Sequence, residues 1–297
     1  MYLLKPVFHQ TIWGGSRLSQ YISGCPNHLG HLYLVNGHRD MANHVCNAGM
    51  TLRELFSRKK AQWNMEEYSD FPLTIALVDA TQNLSIQVHP DLQTAERLEG
   101  EQAGKTESWL FLEPPECGWI YAGCNCETLE QVWAAVQAKQ LEMTANHFPV
   151  AKGDCVCVKD GTLHALTAGS VVYEIEYGSD LTYRFYDYGR RDEEGKVRRL
   201  DIEKAMQAIR TDRLPSIQKE SEDDWISEDT YEISVLRSIS CYKNQSGQLE
   251  CVSVIQGSGR FDLWEIENGM SVLLEPGEQL ENIDITFGIA ARLRKHE

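Results

Sequence analysis

Residues 84–91, Leu-Ser-Ile-Gln-Val-His-Pro-Asp, alternate apolar and polar side chains. Successive side chains of a strand point to opposite faces. Leu84, Ile86 and Val88 therefore share one face, and Ser85, Gln87 and His89 the other. A hydroxyl, an amide and an imidazole point the same way, and Pro90 ends the run. Two further segments carry groups suited to that polar face: Gly104-Lys-Thr-Glu107 and Gly161-Thr-Leu-His164. Gln87, His89, Glu107 and His164 together make a four-ligand set for a divalent metal. Two imidazoles, one carboxylate and one amide leave a bound Zn²⁺ with a net charge of about +1 and room for water or substrate. Such a centre is open, as catalysis requires, whereas structural zinc is usually closed by thiolates.

A second group follows in residues 171–190. Glu174 and Glu176 share one strand face, and Asp180 and Arg184 come after a glycine turn. A charged surface hairpin would carry the same residues. An acidic pair and an arginine close to a candidate ligand are also the inventory for acid–base work on an anionic substrate. Two other patterns carry less. Gly100-Glu-Gln-Ala-Gly-Lys-Thr106 has three residues between its glycines where a phosphate-binding loop has four, and an apolar strand follows it where that loop leads into a helix. His28, His31, His38 and His44 lie among Gly, Asn and Pro, with no alternation to orient them, and read as loop histidines.

The elements that must position these groups are mostly strands. Short apolar runs with turn residues between them occur at 71–80, 83–89, 107–113, 118–122, 154–159, 170–177, 181–186, 231–242, 249–255, 261–266 and 270–274. That rhythm predicts a β sandwich or barrel. Helices are few. Thr51-Leu-Arg-Glu54 is a capping box ahead of Leu52, Leu55 and Phe56. Residues 128–140 carry Leu129, Val132, Trp133 and Val136 at helical spacing. Asp201–Ile209 is the third. Residues 211–229 are polar and acidic, with Pro215 and the run Glu220-Ser-Glu-Asp-Asp224, and read as a linker. The expected domains are 1–215, holding the metal site and the helical insertions, and 216–297, smaller, β and without metal, since its first histidine is His296.

The chain has 297 residues, 28 of them basic and 44 acidic, for a net charge of −16. Such a surface repels nucleic acid and anionic membrane, so neither is an expected partner. No apolar run is long enough to span a bilayer, and the start lacks a secretion pattern. The nine cysteines form no secreted framework and no paired Cys-x-x-Cys. They read as reduced thiols, and the chain as cytoplasmic. Asn244-Gln-Ser246 fits a glycosylation sequon that would have no meaning there.

Taken together, Leu4-Lys-Pro-Val-Phe8, Ile12-Trp-Gly-Gly15, Leu84–Asp91, Gly104–Glu107, Gly161–His164 and Ser179–Arg190 resemble the type I mannose-6-phosphate isomerases (phosphomannose isomerases) in their short bacterial form. The resemblance runs to about Lys204 and is loose after 225. It implies a mostly β fold of cupin domains, double-stranded β-helices or jelly rolls, with a few helical insertions. It implies one zinc ion per chain on Gln87, His89, Glu107 and His164. It implies catalytic roles for Arg184, Lys105, Asp180 and Glu174, and substrate binding at Ser85, Arg190 and Trp13. The implied reaction interconverts mannose 6-phosphate and fructose 6-phosphate through a cis-enediol.

The sequence departs from that pattern in four places. The family's Gly-Glu-Ser-Trp-Glu is here Gly30-His-Leu-Tyr-Leu34. Ala76 stands where a Lys is usual, and Asp91-Leu92 replaces an acidic pair. Glu176 stands where these enzymes commonly carry Gln. Leu34 and Ala76 keep two further readings open: an isomerase or epimerase of a different sugar phosphate, and a cupin that binds metal and sugar without turnover. The sequence does not give the oligomeric state.

Overall fold

The computed structural model describes residues 1–191, 195–220 and 224–294. Part of the acidic run near 222, and His296, lie outside the described residues. The chain divides into two compact units. One comprises Met1–Gln10, Ser16–Leu77 and Lys219–Glu297; the other comprises Thr11–Gly15 and Val78–Gln218. The expected succession of domains does not match this division, because the first strand belongs with the C-terminal residues. Tyr2–Lys5 pairs with Ser271–Leu274, placing Leu3 opposite Val272.

The first unit is built on an antiparallel sheet. Its order is Trp225–Ser227, Tyr231–Ile239, Ile283–Leu293, Glu250–Phe261, Ser271–Leu274, Tyr2–Lys5, His44–Val45 and Met50–Thr51. Leu3, Val252, Val254, Phe261, Ile266, Val272, Leu274, Leu280, Ile283, Ile285 and Ala290 form its core. Each large aliphatic or aromatic side chain buried there contributes roughly 1.5–3 kcal/mol. At one edge of this core Arg292 bonds Glu232 at 2.8 Å and the buried Glu250 at 2.9 Å, and lies 3.9 Å over the Trp225 ring. The helix Leu52–Lys59 starts on the expected capping box. Thr51 N donates to Glu54 Oε2 at 2.8 Å, and Glu54 N donates to Thr51 Oγ1 at 3.3 Å. It buries Leu52, Leu55 and Phe56.

The second unit holds the strands that matter for chemistry. One antiparallel sheet runs Ala145–Pro149, Trp119–Cys124, His164–Ala165, Ile86–Val88 and Tyr183–Tyr186. The other carries Asp154–Val158, Lys105–Glu113 and Val171–Gly178 side by side. Leu92–Glu99, Leu129–Gln137 and Ile202–Ala208 are its α-helices. Helix Leu129–Gln137 buries only Val132 of its expected stripe; Leu129 and Trp133 are exposed. Helical spacing fixes which side chains share a face, not how much of that face a neighbour covers.

Two sequence readings are settled by local structure. Gly100 is the left-handed cap of helix Leu92–Glu99, with φ 73°, and Lys105 and Thr106 already belong to a strand, so the segment is not a phosphate-binding loop. His31 and His44 lie in strands, contrary to the loop reading, and His31 stacks on Tyr33 with ring centroids 5.3 Å apart. The nine cysteines are all free. No helix among the described residues is long and apolar enough to cross a membrane.

Candidate metal centre

The predicted strand of residues 83–89 is observed as Ile86–Val88, with His89 immediately after it. Gln87 is flanked on both sides. Its Cα is paired with that of His164 on one neighbouring strand and with that of Arg184 on the other. Directly paired residues share a face, so register alone gathers an amide, an imidazole and a guanidinium. The Gly161 turn that delivers His164 is tied down by Gly161 N donating to His89 O at 2.9 Å. Gly161 has φ 76°, and a Cβ there would lie 2.6 Å from Arg210 Cγ, so glycine is required.

The opposing sheet supplies the charges. Lys105, Glu107 and Trp109 share one face of their strand, and Glu176 and Glu174 are the Cα partners of Glu107 and Trp109. Trp109 Nε1 donates to Glu174 Oε1 at 2.9 Å. Lys105 Nζ lies 2.5 Å from Glu176 Oε1 and 3.4 Å from Glu107 Oε2. Lys105, Glu107 and Glu174 are buried.

The two sheets meet at Glu107. His89 Nε2 lies 3.0 Å from Glu107 Oε2, and His164 Nε2 lies 3.3 Å from Glu107 Oε1. Both rings turn Nδ1 to a backbone carbonyl, His89 to Leu181 O at 2.9 Å and His164 to Thr162 O at 2.7 Å. A carbonyl only accepts, so Nδ1 of each ring carries a proton and Nε2 is the nitrogen turned to the centre. Glu107 Oε1 is buried and makes no hydrogen bond. Two imidazole nitrogens and a carboxylate thus converge, with His89 Nε2 at hydrogen-bond distance from Glu107 Oε2, and a cation bound there would take the place of the proton they share. His89, Glu107 and His164 offer ligand atoms all within 4.8 Å of one another.

Electrostatics agree with that chemistry. Burial and the neighbouring His89 push the His164 pKa down to about 3, so the ring is neutral and fit to ligate. Burial alone would raise the Glu107 pKa, but His89 and Lys105 hold it far below the usual carboxylate range. Burial, then Glu176 and Glu107, raises Glu174 well above that range. Burial alone would lower Lys105, and Glu176, Glu107 and Glu174 together hold it above its ordinary value.

Gln87 turns its amide to His164 Nε2 at 3.4 Å and accepts from Ser85 Oγ at 2.8 Å. A half-turn of that amide presents its oxygen to the centre instead. Ser85 is therefore on the predicted polar face. Arg184 has a buried Nε with no hydrogen-bond partner, and burial, then Arg198, lowers its pKa. Arg190 is drawn to Asp187, with Nη2 to Oδ1 at 2.6 Å. Asp180 is exposed. Trp13 is buried, and its carbonyl accepts from Thr81 N at 3.0 Å.

Arg198 escaped the sequence reading. It lies 3.6 Å from Asp187 and joins Arg190, Leu141, Phe185 and Leu200 around a cavity of about 580 Å³. Its only signal was the basic cluster at 196–199, which no alternation orients.

The first 107 residues match the model for the catalytic domain of type I phosphomannose isomerase. Mannose-6-phosphate isomerase ManA of Bacillus subtilis is 31% identical over 269 residues, covering 86% of this chain and 85% of that protein. This chain belongs to the type I phosphomannose isomerase family. Mannose-6-phosphate isomerase of Streptococcus mutans is likewise 31% identical, over 86% of this chain and 85% of its own length. The crystal structure of the Bacillus subtilis mannose 6-phosphate isomerase superposes with a TM-score of 0.83 at 26% identity, covering 98% of this chain and 99% of that one. The mostly β, cupin-type fold expected from the sequence is the fold of this family.

Proposed function

We propose that this protein is a zinc-dependent aldose–ketose isomerase that interconverts mannose 6-phosphate and fructose 6-phosphate. The observation that carries the reading is the convergence of His89 Nε2, His164 Nε2 and Glu107 Oε1 beside the buried side chains of Lys105 and Glu174. Family membership supports a sugar phosphate as the substrate class. His89, Glu107 and His164, with Gln87 after its amide turns, would hold the zinc. The metal would supply a Lewis acid for the sugar carbonyl and hydroxyl oxygens.

The chain's own residues divide the remaining work. Moving a proton between C2 and C1 calls for a group that both takes and gives one, with a pKa near the working pH. We assign this to Glu174, whose pKa burial has raised and whose carboxyl Trp109 Nε1 holds in place. Lys105, a buried ammonium, offsets negative charge beside Glu107. Arg184, aligned with Gln87, would stabilise charge on the developing enediolate. Ser85, Arg190 and Trp13 are assigned to binding the phosphosugar. Asp180, exposed, is assigned only to the loop that leads into Arg184.

A second reading, an isomerase of a different sugar phosphate, is favoured by Leu34 and Ala76. Both are completely buried apolar side chains where the family pattern is charged. A coupled assay over hexose and pentose phosphates, with and without zinc, separates the two. Turnover of mannose 6-phosphate faster than of every other sugar supports the first reading. Preference for another sugar phosphate replaces it with the second.

A further inference from the structure

Glu176 has no part in the reaction above, yet it makes the shortest contact of the buried charged cluster, 2.5 Å to Lys105 Nζ. Register explains the contact. The Cα partner of Lys105 is Gly178, which has no side chain, and a Cβ there would lie 2.1 Å from Gly104 O. With nothing opposite it, the lysine side chain reaches diagonally to the next position on the same face, Glu176. Long side chains span such diagonals. Glu176 is itself directly opposite Glu107. Two like charges in that position repel, and the ammonium lies between them, 3.4 Å from Glu107 Oε2. The lysine backbone is fixed as well, with Lys105 N donating to Pro90 O at 3.0 Å and Ser179 N donating to Gly104 O at 2.9 Å.

We infer that Glu176 is a positioning residue for the metal centre, acting through Lys105: it holds the ammonium and cancels its charge, so that Glu107 keeps its own charge for the metal. This rests on the metal reading above. Without the Glu176 carboxylate, the buried ammonium keeps Glu107, 3.4 Å away, and competes with the cation for it. A glutamine at this position would bond the lysine but not neutralise it. Partners that orient a ligand commonly matter about 10–100-fold in metal affinity.

The test is zinc affinity of the full-length protein at neutral pH, read by competition with a chromophoric chelator, for wild type, E176Q, E176D, K105M and the double variant E176Q/K105M. E176Q should weaken zinc about 10–100-fold. E176D, which keeps the charge, should retain most of the affinity. K105M should bind at least as tightly as wild type, and the double variant should return to within about threefold of wild type, because the uncompensated ammonium is gone. Unfolding of each zinc-free variant is measured alongside. If E176Q does not fold, E176D and K105M decide by the same criteria. E176Q binding like wild type, or a double variant weaker than E176Q, overturns the inference, as does a wild type that holds no zinc. A wild type that binds zinc but isomerises no mannose 6-phosphate removes the proposed function and leaves the role of Glu176 standing.

Discussion

His164 is the cross-strand partner of Gln87, although 77 residues separate them. That pairing brings the Gly161–His164 turn to the polar face of residues 85–89. It makes His164 the group whose loss should cost most at the centre, since its ring also faces Glu107 Oε1 at 3.3 Å. Purified wild-type protein should carry about one divalent ion per chain, with nitrogen and oxygen ligands at ~2.0–2.2 Å. His164→Ala should lose most of it while the far-ultraviolet spectrum stays unchanged. Elemental analysis checks the first point, and X-ray absorption of the zinc-loaded protein the second.

Glu174 gives a pH signature in the metal-free protein. Its native pKa lies above the ordinary 4.5. Below that value both states hold the proton and nothing is lost. As pH rises toward the native pKa, the unfolded chain releases a proton that the native state keeps, so stability falls. His164 works in the opposite sense. Its native pKa, about 3, lies under the ordinary 6.5, so its contribution is lost as pH falls through that window. The difference between wild type and Glu174→Gln isolates the carboxyl. The variant should lose less stability than wild type as pH rises from the ordinary carboxylate range, measured by urea unfolding in chelator.

Much of this centre was legible in the sequence, because alternation is a strong signal where polar residues share a face. The polar face of residues 85–89 and the acidic pair 174 and 176 needed only a period of two. The four ligands come from separated segments; their residue types suggested one site, and the resemblance implied the same set. Contacts across a ladder were not legible. Nothing in the sequence places Glu176 on Lys105 or Trp109 on Glu174; these follow from register and from the absence of a side chain at Gly178. Strands Val7–Gly15, Leu29–Val35, Ala145–Pro149 and Ile283–Leu293 were also missed. They carry His, Gln, Gly, Pro or small residues that dilute the apolar rhythm. The N-terminal strand was unreadable as a partner of residues 271–274, because pairing over that separation leaves no local trace.

Arg184 sits opposite Gln87 with an unpartnered Nε. Arg184→Ala should lower kcat on the order of 10²–10³-fold, as when one oxyanion donor is removed. KM should change little, since the interaction strengthens in the transition state. Zinc content and melting temperature should stay near wild type. Steady-state kinetics alongside a thermal melt distinguish this from a structural loss, which would lower the melting temperature first.

Asn244 tests the other unit. It is fully buried, and its amide donates to Gln248 O at 2.8 Å and Leu274 O at 2.9 Å, while its oxygen accepts from Ser246 N at 2.9 Å. An amide so engaged is closed to modification, which removes the sequon at Asn244-Gln-Ser246. Asn244→Ala removes a donor from Leu274 O and Gln248 O, the latter keeping Ser246 Oγ at 3.2 Å, and leaves Ser246 N without its acceptor. It should cost about 1–3 kcal/mol for each such group that stays buried and dry, and chemical denaturation reads the loss.

The most direct measurement is conversion of mannose 6-phosphate to fructose 6-phosphate by chelator-stripped protein, before and after one equivalent of zinc is restored. The stripped protein should be inactive, and zinc should restore turnover in wild type but not in His164→Ala. Equal turnover without metal, or none from a wild type that has taken up its zinc, would contradict a metal-dependent isomerase.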